Sequence, residues 1–105
     1  MDYLKIIERT YYSHKIAKSS SLKSATFKKT DKYPTSEGIK FENTDFAGEI
    51  FYYANEEMDY CEMSFLIYNG EKYDAKVINK PNESELRNAI SDFLTINLTE
   101  LKNVG

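Results

Sequence analysis

Over residues 2 to about 18, apolar side chains recur at helical spacing. Tyr3, Leu4, Ile7, Tyr11 and His14 fall on one side at about 100° per residue, and Lys5, Glu8 and Arg9 fall elsewhere. Asp2 suits the positive end of a helix dipole, and Lys15 and Lys18 suit its negative end. Ser19, Ser20 and Ser21 then interrupt the pattern, because serine side chains compete for backbone hydrogen bonds and favour caps and turns. The spacing predicts an amphipathic helix that stops there. Residues 25–33 have strand character with a basic bias and predict an irregular or edge strand. The stretch 34–38, which holds Pro34 and Gly38, has turn chemistry. Ile39-Lys40-Phe41-Glu42 alternates apolar with charged residues, as a strand with one wet face does.

A longer antiparallel pattern begins near Gly48. The run from Glu49 to Ala54 is followed by an acidic connection, 55–59. A second run, 60–68, leads through Asn69-Gly70 to a third, 72–78. β-branched and aromatic residues around Asn-Gly signal a hairpin. A two-residue turn sets Ile67 against Lys72, Phe65 against Asp74 and Met63 against Lys76, which buries charges. A three-residue loop, with Gly70 left-handed, instead pairs Phe65 with Tyr73, Met63 with Ala75 and Cys61 with Val77 on one face. The second register is the expected one.

Pro81 ends the last strand, and Asn82-Glu83-Ser84-Glu85 supplies an N-cap with a glutamate three positions on. Leu86, Ile90, Phe93 and Leu94 then form an apolar stripe, with Ala89 at its edge and Leu101 a further candidate, which predicts a helix from about 83 to 97 that frays onward to 102. The fold class is therefore α+β: an N-terminal helix, an antiparallel sheet of three to five strands, and a C-terminal helix packed on one sheet face.

The length of 105 residues predicts one domain, and a composition 41% hydrophobic and 30% charged supports a folded core. The start of the chain lacks the basic opening and continuous apolar run of a signal peptide. No stretch approaches the roughly 18 uninterrupted apolar residues of a membrane span, so a cytoplasmic location is expected. Charge is distributed unevenly. Eight basic and three acidic residues fall in 1–32, and six and fourteen in 33–105, giving a basic first third and an acidic remainder within a net charge of −3.

Catalytic chemistry finds little support in this composition. The lone histidine, His14, sits on the apolar side of the first helix, and nucleophilic catalysis needs a base set against its nucleophile. With one histidine and the single cysteine Cys61, which reads as a small core residue, zinc sites of the usual spacing are excluded. The acids at 56–62 lack the glycine and alternating oxygen ligands of an EF-hand loop. Four glycines without a glycine-rich run before a helix provide no phosphate cradle of known type. No enzyme, cofactor or metal is expected.

Nine tyrosines without a tryptophan form the most distinctive compositional feature. Tyr52, Tyr53 and Tyr60 lie close in sequence to Glu49, Glu56, Glu57, Asp59 and Glu62. Together these residues are the candidate partner-binding surface, because tyrosine gives contact area at low entropic cost and carboxylates steer a basic partner. A plainer reading places the tyrosines in the core and leaves the acids to confer solubility. The alternative surface is nucleic-acid-binding: Lys23, Lys28, Lys29 and Lys32, with Phe27 and Tyr33 interleaved, have the makings of a backbone track with a stacking ring. Few arginines and the acidic remainder oppose it.

The segment Asn69-Gly70-Glu71-Lys72-Tyr73, followed by Asn82-Glu83-Ser84-Glu85 and Ile90-Ser91-Asp92-Phe93-Leu94, resembles small phage-encoded anti-CRISPR proteins that inhibit Cas9. The resemblance covers about residues 69–94. It implies an acidic surface that imitates DNA and blocks a nucleic-acid channel, and the basic first third departs from a uniformly acidic inhibitor. Toxin-immunity proteins are similar in style, being small, acidic and α+β. The expectation is a non-enzymatic inhibitor or immunity-type protein that binds a basic protein surface, such as that of a nuclease, without a membrane. A nucleic-acid-binding accessory protein is the alternative. A small enzyme or ligand carrier with an apolar pocket between sheet and helices is a third reading, which a deep polar-lined pocket would favour.

Overall fold

The computed structural model describes residues 1–30 and 35–104. Helix α1 (Tyr3–Ser13) leads through a short 3₁₀ turn (Lys15–Lys18) into strands β1 (Lys23–Phe27), β2 (Ser36–Glu42), β3 (Phe46–Ala54), β4 (Asp59–Ile67) and β5 (Lys72–Asn79), and helix α2 (Glu83–Val104) closes the chain. The five strands form one antiparallel meander in sequence order, so every strand connection joins neighbours. Both helices cover the same sheet face, giving an α+β domain of two layers.

The N-terminal helix is shorter than its apolar pattern suggests. His14 takes extended backbone angles, and its Nδ1 accepts the Ile16 N–H at 3.1 Å, so the chain breaks between the helix and the 3₁₀ turn. Ile16 is still fully buried through that turn. The asparagine-glutamate signal ahead of α2 forms as a reciprocal cap: Asn82 Oδ1 accepts from Glu85 N–H at 2.8 Å, and Glu85 Oε1 accepts from Asn82 N–H at 3.0 Å. The helix then runs unbroken to Val104, past the expected end, because Leu98 and Leu101 add to its apolar stripe.

The covered face of the sheet holds the core. Ile39 and Phe41 of β2, Phe46, Ile50 and Tyr52 of β3, and Cys61, Met63, Phe65 and Ile67 of β4 pack under Ile7 and Tyr11 of α1 and Leu86, Ile90 and Phe93 of α2. Tyr11 stacks on Phe41 at 4.8 Å and shares a 2.7 Å hydrogen bond with Ser24, tying α1 to the edge strand β1. Gly48 makes this packing possible, since a Cβ there would lie 2.3 Å from the Phe41 ring.

Three expectations need correcting. The edge strand β1 begins and ends earlier than 25–33, and residues 36–38, expected as turn, open strand β2. Lys32, Tyr33 and Pro34 lie outside the described residues. The β4–β5 register is the one that appeared to bury charge: Phe65 stands opposite Asp74, Met63 opposite Lys76 and Cys61 opposite Ile78.

Two features of the hairpin explain that register. Gly70 is left-handed (φ 91°) as expected, but Glu71 is left-handed too (φ 50°), which lengthens the connection by one residue and turns every β5 side chain over. Moreover, β5 is an edge strand lying under the polar shoulder of α2. Asn97, itself buried, donates its Nδ2 to Asp74 Oδ2 at 3.1 Å and to Phe93 O at 2.9 Å, while Lys72 pairs with Glu100 at 2.9 Å and Lys76 remains exposed. Inward-facing charges are met by a helix rather than buried bare, and on an edge they discourage pairing with another chain. Tyr73, Ala75 and Val77 consequently face away from the helices.

Candidate functional site

Strand alternation and register assemble the other face of the sheet, which no helix among the described residues covers. Reading across β1 to β5, one row is Lys23, Glu42, Ala47, Leu66, Tyr73, and the next is Ala25, Lys40, Glu49, Ser64, Ala75. A third runs Phe27, Gly38, Phe51, Glu62, Val77, and a fourth joins Ser36, Tyr53, Tyr60 and Asn79. An open depression of about 430 Å³ crosses the first two rows, lined by small side chains at Ala25, Ala47 and Ser64 and flanked by Lys40, Glu49 and Tyr73.

Aromatic rings gather at the other end of this face. Tyr53 and Tyr60 stack at 5.2 Å, and Phe51 meets Tyr60 edge-on at 6.4 Å. The Tyr53 hydroxyl accepts a 3.1 Å hydrogen bond from Asn55 Nδ2. Asn55 also shapes the β3–β4 connection, where its Oδ1 accepts from the N–H groups of Glu57 and Met58 at 2.8 and 2.7 Å. That turn displays Glu56 and Glu57 to solvent at the edge of the aromatic group.

The charges of the open face are largely matched across strands. Lys23 stands opposite Glu42 and Lys40 opposite Glu49, so basic and acidic side chains alternate across strands, and the first of these contacts sets the basic first third against the acidic remainder. Tyr68 extends the face by hydrogen-bonding Glu42, and that contact holds its phenol above the usual range. Glu62 differs. Its cross-strand neighbours are Phe51 and Val77, so no basic residue stands opposite it. Burial among its neighbours raises the Glu49 carboxyl, Lys40 opposes that shift, and Glu62 adds to it. Burial, then Glu62 and Tyr53, raises the Tyr60 phenol. A cation brought between Glu49 and Glu62 would relieve both carboxylates and meet an aromatic face.

The residues singled out from sequence divide between the two faces. Glu49, Tyr53, Tyr60 and Glu62 come together on the open face, with Glu56 and Glu57 beside them. Tyr52 and Asp59 do not join them. Tyr52 lies 6% exposed on the covered side, stacked on Tyr3 at 3.9 Å, and burial and the nearby Asp59 carboxylate raise its phenol. Asp59 Oδ1 is buried without a hydrogen-bond partner among the described residues. Simple alternation along β3 separates Tyr52 from Tyr53.

The lysine set also disperses. Lys23 and Phe27 lie on the open face, where Lys40 Nζ sits 5.5 Å from the Phe27 ring, while Lys28 and Lys29 follow the end of β1 and Lys29 Nζ sits 5.6 Å from the Tyr52 ring. His14 is a packing residue: with Nδ1 accepting from Ile16, its proton resides on Nε2, 2.9 Å from Thr95 Oγ1, and burial, reinforced by Lys15, lowers its pKa. Cys61 is fully buried, and burial, then Glu62, pushes its thiol up to about 12. Sequence reasoning placed Lys40 on a wet strand face without making it a site residue, and it missed Phe51, Leu66, Tyr73 and Val77 as members of the open face. The alternation of 72–78 contained the signal for the last two, but the wrong hairpin register hid it.

The fold and site thus define an α+β domain with one sheet face sealed by helices and the other free. Comparison with protein-family profiles, with curated proteins and with solved structures finds no match to this chain. No helix among the described residues is long and apolar enough to cross a membrane.

Proposed function

We propose that this protein is a non-enzymatic binding protein that inhibits or neutralises a partner by seating a basic segment of it on the open sheet face. The observation that carries this reading is the grouping of Phe51, Tyr53 and Tyr60 around Glu62, a carboxylate with no basic residue across from it in either neighbouring strand, with Glu49 alongside. Stacked tyrosines provide rigid contact area, and a lysine or arginine side chain satisfies both the carboxylates and the ring faces. Glu56 and Glu57 at the rim add steering charge for a basic partner. An enzyme that handles nucleic acid carries such a basic surface in its substrate channel, which is the setting for anti-CRISPR-like or immunity-type inhibition.

Direct nucleic-acid binding through Lys23, Phe27, Lys28 and Lys29 is the weaker reading. Glu42 and Glu49 stand directly across from the lysines of the open face, where a phosphate backbone would have to lie.

Titrating an arginine-rich peptide against the protein by fluorescence anisotropy tests the proposal, with a single-stranded oligonucleotide as the competing probe. The peptide should bind with an affinity that falls as salt rises, and Glu62→Lys should weaken it by roughly tenfold or more while the domain stays folded. Tighter binding of the oligonucleotide, lost in the Lys23→Glu, Lys28→Glu, Lys29→Glu triple variant and kept in Glu62→Lys, would overturn it. The natural partner, once isolated, should show the same dependence on Glu49 and Glu62.

A further inference from the structure

The chain has only two arginines among its fourteen basic residues, and the fold brings both to one cleft. Helices α1 and α2 lie side by side and run in the same direction. Tyr3, near the start of α1, donates to Pro81 O ahead of α2 at 3.0 Å, and His14, just past the end of α1, meets Thr95 of α2. Between them, on the far side from the open sheet face, is a cleft of about 390 Å³. Arg9, Ser13 and His14 line it from one side and Glu83, Arg87 and Ser91 from the other.

The spacing repeats on both helices. Arg9 and Ser13, like Arg87 and Ser91, are four residues apart, so each arginine has a serine one turn along on the same helix face. Neither guanidinium has a hydrogen bond or ion pair among the described residues, and the Ser91 hydroxyl has no partner among them either. Arginine keeps its charge, so two guanidiniums and the single Glu83 carboxylate leave the cleft net positive. A bound anion offsets that excess, and the guanidinium fork matches phosphate oxygens in pairs. The two helices are fixed by the core, through Ile6, Ile7, Leu86 and Ile90, so the arginines are carried on a rigid frame.

Glu83 limits what the anion belongs to. Its carboxylate lines the same cleft, where a continuous phosphate backbone would meet it, whereas a small ligand can offer it a hydroxyl or amine. Burial, reinforced by Lys15, lowers the His14 pKa and so disfavours a third positive charge in the cleft. We propose that the α1–α2 cleft binds a small phosphate monoester. Its phosphoryl group lies between Arg9 and Arg87, the Ser91 hydroxyl donates to it, and Glu83 accepts a hydrogen bond from the ligand's body. The cleft volume falls in the range of small-molecule sites.

Calorimetric titration of the full chain at constant ionic strength tests this, with glycerol phosphate, inorganic phosphate, glycerol and a short single-stranded oligonucleotide as probes. Glycerol phosphate should bind saturably and more tightly than inorganic phosphate, and glycerol should not bind. Arg9→Gln and Arg87→Gln should each weaken it by about tenfold or more, the loss expected for a charge-assisted hydrogen bond. Arg87→Lys should weaken it as well, because the charge remains and the fork does not. Both arginines are exposed, and matched thermal unfolding of the variants should show that the fold persists. The proposal is overturned if the folded wild type binds no phosphate probe saturably, or if binding survives the Arg9→Gln, Arg87→Gln double variant. Arginine-dependent binding of the oligonucleotide tighter than that of glycerol phosphate would also overturn it, as would inorganic phosphate binding as tightly as the ester. The test is independent of the open face: Lys102, exposed and outside both the cleft lining and that face, supplies the control, and Lys102→Gln should leave every affinity unchanged.

Discussion

On the covered face of the sheet, Ile39, Ile50, Met63 and Phe65 are all buried. Their immediate neighbours in the chain, Lys40, Glu49, Glu62 and Ser64, occupy the open face and keep contact with water. Both sets share the same strands and the same backbone hydrogen bonds. What differs is the second layer: α1 and α2 provide apolar side chains to one face, and the other has ring stacking and opposite charges set across from each other on neighbouring strands. A face completed by its own helices resists substitution because every lost atom leaves a void. A face whose carboxylates stand opposite lysines except at Glu62 has something to gain from a cationic partner.

The largest test of that contrast is Phe65→Ala, which should cost about 3–5 kcal/mol in denaturant unfolding by opening a cavity in the covered layer. Gly48→Ala should come next. The new methyl has to displace the Phe41 ring, an overpacking cost of about 1–3 kcal/mol, and a smaller ring at 41 should recover part of it. Asn97→Ala should lose about 1–3 kcal/mol by stranding Asp74 at the sheet edge, whereas Glu100→Gln, which breaks only the exposed pair with Lys72, should lie within about 0.5 kcal/mol of wild type.

Cys61 tests the seal of the covered face through pH. Its thiol is raised in the folded state, from 9.0 to about 12, so the folded protein holds that proton more tightly than the unfolded chain. The stabilisation is present in full below pH 9.0 and is lost as pH rises toward about 12. The stability difference between wild type and Cys61→Ala, measured by urea unfolding at stepped pH, should therefore shrink over that window. A thiol reagent should label native Cys61 only after unfolding. The smallest effect belongs to the open face: Tyr73→Ser, at a side chain 68% exposed, should change stability by no more than about 0.5 kcal/mol.

The sequence by itself determined the elements whose signals are local. The Asn82–Glu85 cap, the left-handed Gly70, the apolar stripe of α2 and the buried alternation of Cys61, Met63 and Phe65 all follow from spacing within a few residues, because the forces concerned act at that range. Tertiary structure decided the rest. Glu71 joined Gly70 in the left-handed region, and Asn97 and Glu100, more than twenty residues away, met Asp74 and Lys72, so the hairpin took a register that a view confined to β4 and β5 rejects. That choice placed Tyr73 and Val77 on the open face. Strand alternation divided Tyr52 from Tyr53 and Asp59 from Tyr60, leaving part of the sequence-predicted partner surface in the core. Helix spacing placed Arg9 and Arg87 on helix faces, but only the docking of α1 beside α2 made them neighbours, since no short-range preference links residues so far apart in the chain.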